Sequence, residues 1–163
     1  YDLSLKNHLE EMLERDQAYR TQWILSRQLH HEETQRDIAL KLRADSIDSI
    51  NQAEIRKILK EHGFPKKTEV GTSACEAAWI IIQHAPLNVQ KEYLPMLERA
   101  ATEGNIQAAL VAALHDRVDV REGRPQKYGT QRNSNGLCPL LNEKMVNQWR
   151  KEVGLPPLDE SAK

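Results

Sequence analysis

Apolar positions recur at helical spacing along most of the chain. Over residues 3–30, Leu5, Leu9, Met12, Tyr19 and Trp23 follow alternating steps of three and four, which predicts one long amphipathic helix. Asp16 fills the gap between Met12 and Tyr19 and so sets a carboxylate on the apolar stripe. Arg20 follows it in the favourable acid-then-base order. Residues 33–62 continue the helical pattern with Leu40, Ala44, Ile47, Ile55 and Ile58. Asn51 falls on the same face; as the first residue of Asn51-Gln52-Ala53-Glu54 it also fits a capping box for a new helix. In either case Asp48 lies close to Asn51. Gly63 and Pro65 stop this stretch, and residues 64–72 read as a linker.

Thr72 or Ser73 caps the next predicted helix, 73–84. Its run Ala77-Ala78-Trp79-Ile80-Ile81-Ile82 is apolar all round, which marks it as central, and it closes in Gln83-His84-Ala85-Pro86. A helix over 88–103, capped by Asn88 and kinked or restarted at Pro95, leads to a second central helix over 106–120. That helix ends in His115, Asp116 and Arg117. Beyond residue 121 the helical period is lost. Tyr128 to Gln131 and Leu137 to Leu141 read as extended pieces around the turn Asn133-Ser134-Asn135-Gly136, a candidate hairpin. A last helix, 143–153, carries Met145, Val146 and Trp149 on its apolar side, and residues 159–163 read as a frayed tail. The expected fold is all-α: a single domain over 1–163, a compact arrangement of about six helices with at most one short β-hairpin near the C-terminus.

Composition narrows the function classes. At 163 residues the chain can bury roughly two-thirds of its unfolded surface, so stability requires neither metal nor disulfide. Charged residues are 29% of the chain but nearly balanced, for a net charge of -1, which argues against a bulk grip on nucleic acid. The aromatic residues do not alternate with a basic stripe, as stacking on single strands would require. No run of about 18 apolar residues is present to span a membrane. Cys75, in an apolar helical run, reads as core; Cys138 lies in a loop, and a disulfide between the two stays open. His30-His31-Glu32-Glu33 lacks the His-Glu-x-x-His spacing of a zinc helix and reads as a solvated face or turn. There is no phosphate-binding glycine loop, no Gly-x-Ser-x-Gly elbow and no Cys-x-x-Cys pair, and no metal or cofactor is expected. The chain opens on Tyr1, so its compartment is left unassigned: a soluble protein, cytoplasmic, or secreted or periplasmic if a signal peptide was removed before Tyr1.

The polar residues at the helix ends carry the candidate chemistry. Short connections make consecutive helices antiparallel, so 73–84 and 106–120 run in the same direction. At about 1.5 Å per residue, His84 and Asp116 then arrive at similar height at one end of the core, where the segment bearing Tyr128 and Gln131 departs. The expectation is a polar pocket. In it His84 is the general acid/base, since imidazole suits proton transfer near neutral pH, and Asp116 orients it. Arg117 clamps an anionic group through its planar fork. Tyr128 and Gln131 position the ligand, and Asp16, Arg20, Asp48 and Gln83 complete the binding set. Asp116, on the packed side of its helix, needs a partner, for which Arg117 and Arg20 are the candidates.

Several pieces occur together: Gly63-Phe64-Pro65, Val70-Gly71, Gln83-His84-Ala85, Tyr93-Leu94-Pro95, Asp116-Arg117 and Pro125-Gln126-x-Tyr128-Gly129-Thr130-Gln131. With Asp16 and Arg20, Asp48 and Asn51, and Gly154-Leu155, they resemble a bacterial family of helical domains of unknown function, over about residues 10–158. The resemblance implies a shared fold and a shared site, and no particular chemistry. On the polar pocket, the expected function is binding of an anionic small molecule, or hydrolysis or group transfer on it. The alternative is a non-catalytic interaction module of immunity or adaptor type, whose polar cluster is structural and whose partner is a protein.

Overall fold

The computed structural model describes residues 1–29 and 32–158. His30 and His31 of the His-His-Glu-Glu run, and the 159–163 tail, lie outside the described residues. The fold is all-α. The described elements are helices α1 (Leu3–Leu29), α2 (Gln35–His62), α3 (Lys67–His84), α4 (Leu87–Thr102), α5 (Ala108–Arg121) and α6 (Val146–Glu152), with a two-stranded hairpin between α5 and α6. They form two compact units, Tyr1–Ala85 and Pro86–Lys163. No described helix is long and apolar enough to cross a membrane.

In the first unit α1 packs against both α2 and α3. The middle of the expected stripe is buried, with Leu9, Met12 and Asp16 inside, while Leu5, Tyr19 and Trp23 are half-buried. Thr34 and Asp37 cap α2 reciprocally, each side chain accepting from the other's backbone N–H. The helix then runs unbroken to Gly63. Asn51 does not start a new helix; it is buried in mid-helix and donates Nδ2–H to the Met12 carbonyl at 2.9 Å. The expected 64–72 linker is partly helical, because α3 opens with a turn at Lys67 before it bends at Gly71. At φ 83°, ψ 169° Gly71 takes a conformation essentially restricted to glycine, and a Cβ there would stand 2.9 Å from the Tyr1 hydroxyl. Beyond the bend α3 is the core of this unit, with Ala74, Cys75, Ala77, Ala78, Ile81 and Ile82 all buried. Tyr1 and Asp2 bond to Val70 and Glu69 near the start of α3, so α1 and α3 set off side by side in the same direction.

In the second unit α4 packs on α5. Pro95 sits at an exposed position inside α4 and does not divide it, and Asn88 lies within the helix, whose cap is Pro86. The hairpin is shorter than expected and centred on the expected turn: Arg132 pairs with Leu137 and Asn133 with Gly136. Tyr128 to Gln131 is not a strand, because its backbone is engaged elsewhere. Cys75 and Cys138 are both buried and free.

Candidate functional site

His84 is the last residue of α3, and the parallel course of α1 and α3 brings it to Asp16. Its Nδ1 lies 3.0 Å from each carboxylate oxygen of Asp16. A carboxylate only accepts, so Nδ1 carries the proton and donates it; in the neutral ring the lone pair is then on Nε2. No described residue hydrogen bonds to Nε2. The Asp16 side chain is 1% exposed and that of His84 21% exposed, so the acid is sealed in while the ring reaches the surface.

A second layer holds the acid. Gln17 Nε2 donates to Asp16 Oδ2 at 2.6 Å, and Arg20 Nε lies 3.4 Å from the same oxygen. The Arg20 Nη2 in turn bonds both oxygens of Asp48, at 2.6 and 2.8 Å. Burial works to raise the Asp16 pKa, but the bond and charge of His84 with Arg20 and Gln17 outweigh it, and the carboxyl is held below its usual range. Burial likewise opposes the Arg20 cation, yet Asp48 and Asp16 hold its pKa up. Asp48 moves upward, burial prevailing over Arg20. Asn51 Oδ1 accepts from Arg15, which also reaches Glu54, extending the polar chain along the α1–α2 seam.

Asp116 is fully buried in the second unit and has its own partners. It accepts from the backbone N–H groups of Lys127 (2.8 Å), Tyr128 (2.9 Å) and Thr130 (3.0 Å) and from the Thr130 hydroxyl (2.9 Å). Loop amides, not Arg117 or Arg20, are therefore its partners, and the acid bonded to His84 is Asp16. Arg117 is half-buried, with an interaction of its own. Gln83 is buried and also engaged. Gln131 serves the loop: its N–H donates to Gln126 Oε1 and its Nε2 reaches the Ala113 carbonyl at 3.3 Å. Gly129 allows the loop to close, since at φ +67° a Cβ would press on Leu140 at 3.1 Å and Leu158 at 3.3 Å.

A groove of about 280 Å³ lies in the second unit, lined among others by Glu98, His115 and Tyr128. Of the residues assigned a role in the expected pocket, Tyr128 lines it.

The sequence model of a family of unknown function, DUF6624, matches residues 3–163. The chain belongs to this family. No curated protein and no solved structure matches it. For this DUF6624 member, the sequence assigned no role to two residues that hold the second unit's loop. Gln126 is fully buried and satisfied on both ends of its amide, donating to the Gln131 and Cys138 carbonyls and accepting from Gln131. Arg150 donates to the Tyr128 carbonyl at 2.7 Å and the Pro156 carbonyl at 2.6 Å, and burial pushes its pKa down. Both act on backbone carbonyls, which carry no residue-type signal. Trp149-Arg150 on a short amphipathic helix was the one cue for Arg150. Among the described residues no group of His, Cys, Asp and Glu is placed to hold a metal ion.

Proposed function

We propose that the Asp16–His84 pair is a proton-transfer site for hydrolysis or group transfer on a small molecule. The observation that carries this is the ring geometry: Nδ1 is committed to a buried carboxylate, and Nε2 is left unbonded by any described residue. Asp16 fixes the tautomer and then stabilises the imidazolium formed when Nε2 takes a proton from a substrate hydroxyl or from water. Arg20 and Gln17 keep Asp16 from turning, and Asp48 fixes Arg20, so the support extends two residues behind the ring.

The charges indicate the substrate. Two carboxylates, Asp16 and Asp48, face one guanidinium, Arg20, whose Nη2 is already taken by Asp48. With a neutral imidazole this cluster is net negative. It favours a substrate that is neutral or cationic at the reacting end. The anionic group expected from Arg117 does not enter here, since Arg117 belongs to the second unit and the cluster around His84 is built from residues of the first.

The chemical test is carbethoxylation by diethyl pyrocarbonate at about pH 7, mapped by peptide mass spectrometry. His84 should react at least threefold faster than His62, although His62 is far more exposed (59% against 21%). In Asp16→Asn the His84 rate should fall below that of His62. A panel of neutral nitrophenyl esters and amides then reads turnover, expected to fall about 10²- to 10⁴-fold in His84→Ala. A wild-type His84 that reacts more slowly than His62, or one indifferent to Asp16→Asn, would sink the proposal.

A further inference from the structure

We infer that the groove of the second unit binds a small primary amine with an apolar body. This rests on residues of that unit alone and is independent of the reading of His84. The groove opens between the end of α4 and the start of α5, with Tyr128 and Val153 at its side. Ala101, Ala108 and Ala112 line it, and their short side chains are what leave the space unfilled. Its volume of about 280 Å³ lies just below the range of drug-sized sites, which suits a ligand smaller than a drug.

The polar lining sets the class of ligand. It includes one carboxylate, Glu98, and neither lysine nor arginine. Glu98 uses its backbone carbonyl to accept from Thr102, and no described residue forms an ion pair with its side chain. The other acids of this unit near α5 are committed. Asp119 takes Arg124 at 2.6 Å and lies 3.2 Å from His115 Nδ1, and Glu122 takes both Arg124 and Lys91. Lys127 is likewise occupied, over the rings of Tyr128 (5.0 Å) and Trp149 (5.3 Å). Glu98 thus offers an uncompensated negative charge at the rim of an apolar floor. The Tyr128 ring, set edge-on to His115 at 6.1 Å and 85°, supplies an aromatic wall. An ammonium at Glu98 with a short hydrocarbon or phenyl body over Ala108, Ala112 and Val153 satisfies each of these groups.

The experiment uses three probes of one shape on the full chain: 2-phenylethylamine, 2-phenylethanol and 3-phenylpropionate. Binding is followed through amide chemical shifts in ¹⁵N-labelled protein. The amine should shift Ala108, Ala112, Tyr128 and Val153 saturably and bind three- to tenfold tighter than the alcohol, with the carboxylate weakest. Glu98→Gln should bring the amine to the level of the alcohol. Ala101→Leu should abolish both by filling the groove. Spectra of both variants report whether the fold is kept, and the wild-type ranking stands without them. Equal binding of amine and alcohol to the wild type, an amine preference that survives Glu98→Gln, or the absence of saturable shifts at these residues would each overturn the inference.

Discussion

Asp16 and Asp116 are both buried acids on helices, and their surroundings set them to different tasks. Asp16 faces an imidazole whose other nitrogen no described residue bonds; Asp116 has spent both oxygens on the 127–130 loop. The second arrangement is stability, and it can be measured. Asp116→Ala leaves the N–H groups of Lys127, Tyr128 and Thr130 without their acceptor. Hydrogen bonds to a charged group are worth roughly 1.5–3 kcal/mol each and are not additive, so the loss should be about 3 kcal/mol or more by urea unfolding. Asp116→Asn keeps one acceptor oxygen and should lose less. A cost below about 1 kcal/mol for the alanine variant would mean that the loop does not depend on this carboxylate.

At the scale of elements, the start of α2 links local sequence to pH. Asp37 closes the capping box, and bonds from the Ser26 side chain and the Thr34 backbone hold its pKa at about 2 in the folded protein. The unfolded value is about 3.9. The folded value lies below it, so the contribution is present in full above about pH 4 and is lost as the pH falls through about 2. Asp16 is shifted in the same direction. Urea midpoints measured from about pH 5 downward should therefore decline, and the decline should be shallower in Asp37→Asn. An identical pH profile in the variant would show that Asp37 is not titrating against this cap. The Thr34 and Asp37 box could have been read from the sequence, since Thr34-Gln35-Arg36-Asp37 has capping-box spacing with an acid at its end. The Asn51 alternative had the same spacing, and only the bond from Asn51 to Met12 on α1 shows why the helix continues through it.

At the scale of the whole molecule, the thiols report on the two units separately, because Cys75 belongs to one and Cys138 to the other. Cys75 is fully buried, its Sγ lies 3.3 Å from the Pro65 carbonyl, and burial pushes its thiol up to about 11. Cys138 is 3% exposed, and its carbonyl accepts from Gln126 in the loop that Asp116 holds. Neither should react with an aromatic disulfide reagent at about pH 8 until the protein opens, and both should react in guanidinium. In Asp116→Ala the labelling of Cys138 should accelerate. Rapid labelling of Cys138 in the folded wild type would contradict its burial.

Period and capping are local, and the sequence by itself determined what depends on them: the all-α class, the buried stripe of α1 with Asp16 on it, the central character of α3, and the turn between the two short strands. His84 could also be recognised as a polar residue at a helix end. Its partner could not. Asp16 stands 68 residues away, and the pair forms because α1 and α3 run side by side in the same direction, a register set by the summed packing of many core side chains. The fate of Asp116 was hidden for another reason. Its partners are backbone amides of a loop, and an amide looks the same in the sequence whichever residue bears it. Only the tertiary structure decided which carboxylate went to the histidine and which to the loop.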